Sequence, residues 1–214
     1  MTSRKFILGI LLIGFGIIDK EVTAQECDFS GIDLDREVEN IVKMLPKTYR
    51  VDPTDEFSPL FAGVDVGAVF LTGMDEIAHY GPVVPFCRKG IALVQVDLVN
   101  LGAVKFSSPW RTCSGLTGNV SLRAEYSRVT VHLVVRSRGT GEKYLEVPHE
   151  YPIMPVDTYG AEIIVEGLGE GGIYASSVLS KLFPSLPLKM WMHNSMLIFG
   201  MVLRDAQKDR NEVL

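Results

Sequence analysis

A 214-residue chain with 47% apolar residues is too rich in core-forming side chains to be disordered, and three cysteines are too few for a disulfide-stapled miniprotein. Its formal net charge of -5 argues against nucleic acid and against a purely electrostatic hold on anionic membranes. What remains is a single domain with a sizeable core.

Arg4 and Lys5 precede an apolar run over residues 6–18, and Val22, Thr23 and Ala24 are short residues where a signal peptidase would cut. Residues 1–24 are therefore expected to be a secretory signal peptide, with the folded domain in residues 25–214. The leader carries Arg4, Lys5 and Lys20 against Asp19 and Glu21, so the mature chain stands at -6. An extracellular chain should oxidise a cysteine pair, and Cys27, Cys87 and Cys113 allow three pairings.

Taken in order, residues 33–45 place Leu34, Val38, Ile41, Val42 and Leu45 on one face of a helix that Asp33 can cap and Pro46 ends. The opposite face is charged. Residues 47–60 read as a connecting loop and 64–72 as a strand, followed by a turn at 73–77 that Gly81-Pro82 closes off. Residues 91–99 and 103–107 alternate apolar and polar side chains on either side of Asn100-Leu101-Gly102, which predicts an antiparallel hairpin with one dry face. Cys87 and Cys113 each lie thirteen residues from Asn100, and residues equidistant from a turn face each other. The expected disulfide is accordingly Cys87 with Cys113, leaving Cys27 unpaired or available to a partner chain.

The longest strand signal covers residues 119–136. Val120, Leu122 and Ala124 are even-numbered, whereas Val129, Val131, Leu133 and Val135 are odd, a parity change that requires a β-bulge near Ser127 and a strongly bent strand. Asn119-Val120-Ser121 is a glycosylation sequon at its start. A polar turn at 137–143, a short strand at 144–147, an irregular edge at 148–155 with three prolines and a last strand at 161–166 follow. The C-terminal part then turns helical. Ile173, Tyr174, Val178, Leu179, Leu182 and Phe183 recur at helical spacing, Pro184 and Pro187 interrupt with Ser185 as a possible cap, and residues 188–204 are apolar on nearly every side. Such a helix should be enclosed all round by the upstream chain. Lys189, His193, Asn194 and Ser195 interrupt it too often for a membrane span.

Reactive chemistry has no positive signal. Residues 167–172 form a glycine-rich link between strand and helix, but Glu170 and the lack of a following parallel unit exclude a phosphate loop. His79, His132, His149 and His193 are scattered, no serine elbow occurs, and Cys113 has no base nearby in sequence, so neither enzyme activity, cofactor nor metal is expected. His193 could be a buried, hydrogen-bonded histidine or a polar anchor for a ligand head group. Met190, Met192, Met196 and Met201, half of all eight methionines, would give the helix an adaptable wall or simply a core.

The order of elements, with Val69-Phe70-Leu71-Thr72-Gly73-Met74-Asp75-Glu76-Ile77 at the first turn and Gly81, Gly90 and Gly102 punctuating the strands, resembles the mite group 7 allergen family of the tubular lipid-binding superfamily. The resemblance implies an α+β fold in which a highly curved antiparallel sheet wraps a long C-terminal helix behind a short N-terminal one. It also implies a secreted, non-enzymatic carrier or scavenger of a lipid or other apolar small molecule. The ligand would lie in a tube between helix and sheet, against Val94, Val96, Phe106, Leu122, Val131 and Leu133 on one side and Met192, His193, Met196 and Phe199 on the other. The alternative is a secreted interaction module with the same fold and a filled core, whose exposed loops at 137–143 and 148–155 contact another protein. A continuous cavity would favour the first, a packed seam the second.

Overall fold

The computed structural model describes residues 27–52, 54 and 56–213, with side-chain surroundings through Lys208; the expected signal peptide lies outside the described residues. The fold is α+β, one large antiparallel sheet with helices. Helix α1 (Leu34–Lys43) starts where the Asp33 carboxylate accepts a hydrogen bond from the Arg36 amide at 3.1 Å. It buries Val38 and Ile41 and leaves Asp35, Arg36, Glu39 and Lys43 in water.

Ten strands follow: β1 (Thr48–Arg50), β2 (Ser58–Phe61), β3 (Val64–Val66), β4 (Phe70–Thr72), β5 (Ala78–Arg88), β6 (Ile91–Asn100), β7 (Lys105–Thr112), β8 (Thr117–Ser137), β9 (Lys143–Glu146) and β10 (Met154–Glu166). All pair antiparallel in a single sheet that does not close on itself. The expected strand at 64–72 is split into β3 and β4. At the turn after β4, Gly73 has φ +80, and a Cβ there would overlap the Ala103 carbonyl, so the position accepts only glycine.

Strand β8 is the spine. Along one edge it pairs β7 through residues 117–123 and β6 through 127–134; along the other it pairs β10 through 119–130 and β9 through 134–137. The expected hairpin at Asn100-Leu101-Gly102 is therefore a correction: β6 and β7 do not pair with each other but continue in one direction along the same edge of β8. Between the Asn100–Ser127 and Lys105–Arg123 pairs the β6–β7 side uses one more residue than β8. Asn100 fills the break. Its side-chain oxygen accepts from the amides of Gly102 (3.1 Å) and Val104 (3.0 Å), and its Nδ2 donates to the Ala124 carbonyl at 3.4 Å. The local turn chemistry is real, but it kinks a strand instead of reversing it.

The disulfide expectation fell with the hairpin. Cys27 is bonded to Cys87, with Cα atoms 5.6 Å apart, and Cys113 is a free, exposed thiol in the β7–β8 turn. Equal distance from a turn implies proximity only if the chain reverses there. Next to the disulfide, Lys143 Nζ reaches Asp28 Oδ2 at 2.6 Å and holds that carboxyl well below the usual carboxylate range.

Helix α2 (Gly169–Leu182) lies along β10. Next, α3 (Ser185–Asn194), a π turn (Ser195–Phe199) and α4 (Gly200–Val213) form one long C-terminal helix, since Asn194, Ser195 and Gly200 all keep helical backbone angles. Ser185 is inside α3, whose cap is Pro184 without a side-chain hydrogen bond. Trp191, Ile198, Phe199, Val202 and Leu203 from this helix join Val38 and Ile41 of α1 and the inward residues of β4 to β8 in one core. The expectation that the helix is enclosed on every side is overturned: Met190, Met192, Met196, Leu197 and Met201 are 37–51% exposed. An open sheet covers one flank of a helix and leaves the other to water. No helix among the described residues is long and apolar enough to cross a membrane.

Candidate functional site

The residues expected to line a tube divide into two groups. Val94, Val96, Phe106, Leu122, Val131, Leu133 and Phe199 are each at most 5% exposed and pack in the common core. Strand alternation puts them on the helix-facing side, with Val94 opposite Leu133, Val96 opposite Val131 and Phe106 opposite Leu122. Phe106 meets Trp191 edge-on at 5.3 Å and stacks on Phe199 at 5.9 Å. By contrast, Met192, His193 and Met196 sit on the exposed flank, away from that core.

The seam between α1, the sheet and α4 is packed. Its cavity, bounded by Val38, Ile41, Val96, Leu98, Val131 and Leu203, measures about 10 Å³, room for no more than about one water. A second space of about 140 Å³ lies where Met190 and Asn194 of α3 meet Val69, just before β4, and Phe106, Leu122 and Ile163 of the sheet. The opposite face of the sheet carries a wider, open cleft of about 380 Å³, where the His132 ring lies 5.8 Å from that of Phe86 and 6.1 Å from that of Tyr151. Burial there pushes the His132 imidazole below its ordinary value, and Arg88 adds to the effect. Asn119 is half-buried within β8, flanked by Pro109 of β7 and Glu166 of β10 rather than placed in a loop.

Helix α2 shows what the sequence reading missed. Its buried residues are Ser176 and Ser180, not its apolar stripe. The Ser176 hydroxyl accepts from the Val165 amide at 3.2 Å, and the Ser180 hydroxyl from the Ile163 amide at 3.0 Å, so the two serines cover backbone donors on the outer edge of β10. Of the expected stripe, Ile173, Tyr174, Leu179, Leu182 and Phe183 consequently point to water, with Tyr174 at 74% and Leu182 at 67% exposure, while Val178 is half-buried. Leu186, Met190 and Leu197 continue exposed apolar surface along the C-terminal helix. The available signal was the Ser176/Ser180 pair, four residues apart and thus on one helical face.

Among the described residues, no three His, Cys, Asp or Glu side chains stand close enough to hold a metal ion. No protein-family model matches the chain, and no curated protein matches it.

Proposed function

We propose that the chain is a secreted interaction module, not an enzyme, that docks an apolar surface of a protein partner on the outward face of α2 and the adjoining C-terminal helix. The observation that carries this is the inverted burial of α2: serines against the sheet, Ile173, Tyr174, Leu179, Leu182 and Phe183 outward. A lone exposed leucine is ordinary, but a helix that turns most of its apolar stripe outward, with only Val178 half-buried, leaves a patch of the kind that marks a binding surface. Tyr174 and Phe183 are rigid aromatic anchors of the type that dominate protein interfaces. A ligand in the expected tube would instead call for a concave site of roughly 300–1,000 Å³ between helix and sheet, and the seam there measures about 10 Å³.

The lipid-carrier reading, with the tubular lipid-binding architecture and a sheet curving round the helix, keeps the groove of about 140 Å³ beside Met190 in its favour. A benzophenone amino acid placed at position 182 of protein secreted from animal cells separates the two. A polypeptide adduct that forms at 182 and is absent from a control at Leu101, also exposed, supports the module. A lipid adduct alone, or no adduct, overturns it.

A further inference from the structure

At the end of the molecule where α4 crosses β9, a cleft of about 160 Å³ is lined by Arg138, Tyr144, His149, Arg204, Gln207 and Lys208. Three residues with fixed positive charge gather here on a chain whose net charge is -5. Glu146 also borders the cleft, but Arg136 engages its carboxylate at 2.7 Å. Arg138 is held by Glu142 at 3.4 Å and stacks over Tyr144 at 5.2 Å, while Lys208 pairs with Asp205 at 3.0 Å. Arg204 differs: it is half-buried and makes neither hydrogen bond nor ion pair with any described residue. Its guanidinium lies against Gly200, where a Cβ would come within 3.1 Å of Nη1, so the missing side chain at 200 gives it space.

The framework beneath is rigid. Gln207 accepts from the Val147 amide at 2.9 Å and donates to the Leu145 carbonyl at 3.1 Å, locking α4 to β9. A half-buried guanidinium has lost hydration that only a hydrogen-bonding anion restores well, and its planar fork matches the oxygens of a phosphate. We propose that this cleft binds a phosphate-class oxyanion, free or as the head group of a lipid, with Arg204 as the principal ligand and Arg138 and Lys208 supplying the surrounding field. The proposal does not depend on the docking face of α2.

The test is nuclear magnetic resonance of the full mature chain at constant ionic strength, titrated with inorganic phosphate and, separately, with dihexanoyl phosphatidic acid. Saturable shifts are expected at the amides of residues 144–149 and 200–208. Arg204→Gln should weaken binding about tenfold or more with an unchanged melting temperature, and Arg204→Lys should bind at intermediate strength, because charge survives while the fork is lost. Saturation by phosphate assigns the free ion; saturation by phosphatidic acid alone assigns the head group. No saturation with either, or unaltered affinity in Arg204→Gln, overturns the proposal.

Discussion

Helices α1 and α2 both lie on the same sheet, and they spend their side chains in opposite ways. Helix α1 buries Val38 and Ile41 and shows charge to water; α2 buries Ser176 and Ser180 and shows Tyr174, Leu179, Leu182 and Phe183. Burial of apolar area stabilises the first within the monomer. In the second that same term is little used, and serine hydroxyls cover a strand edge instead. The pairing shows that periodicity announces a helix with one apolar face without saying which way the face points.

The contrast should break most sharply on core truncation. Ile41→Ala is expected to lower the unfolding free energy in urea by about 2–5 kcal/mol, because it empties a filled site, whereas Leu182→Asp should change it by less than about 0.5 kcal/mol. The second substitution should also reduce fluorescence from an apolar dye bound to the folded protein. Equal losses of stability would erase the distinction between the two helices.

Next in size comes the disulfide, which tethers the segment before α1 to β5 and has no counterpart at α2. Cys87→Ser should cost about 2–4 kcal/mol and speed amide exchange in α1 more than in α2, while Cys113→Ser leaves both unaltered. The reverse pattern would mean that Cys113 carries the bond.

How much of this was legible follows from the same elements. The alternation over residues 119–136 marks β8, observed as Thr117–Ser137, and the polar turn at 137–143 separates it from β9. Strand β5 was hidden because Gly81-Pro82 read as a breaker, yet β5 pairs only β6, and an edge strand tolerates prolines, here Pro82 and Pro85. Asn100-Leu101-Gly102 misled for a different reason: whether a tight bend reverses the chain depends on the strand alongside it, here β8, which lies beyond any local window. Of the candidate site, the core half was readable from alternation. The outward methionines were not, since a helix apolar on all sides does not say which flank the sheet covers.

The smallest expected effect concerns the tie between β1 and α4, which joins helix to sheet through an ionisable pair where α2 uses serine hydroxyls. Tyr49 donates to Asp205 Oδ2 at 2.6 Å. Burial first, and then that bond, push the phenol up to about 12, while the same hydroxyl lowers the Asp205 carboxyl. The raised phenol contributes stability below its unfolded value of 10.0 and loses it as pH climbs toward 12; the lowered carboxyl contributes above 3.8 and loses it on acidification. Tyr49→Phe should therefore cost about 1 kcal/mol near neutrality, with a gap to the parent that closes between pH 10 and pH 12. Thermal melts at stepped pH would read it, and a constant gap would remove the bond from the account.

Because β6, β7 and β8 follow one another directly, residues 91–137 hold a complete long hairpin that needs nothing from either terminus to begin pairing. During synthesis this unit emerges after α1 but well before residues 185–208, so the part of its oily inner surface that α1 does not cover waits until the final helix arrives. That interval, set by the order of elements along the chain, is when the protein is most prone to aggregate or to need a chaperone.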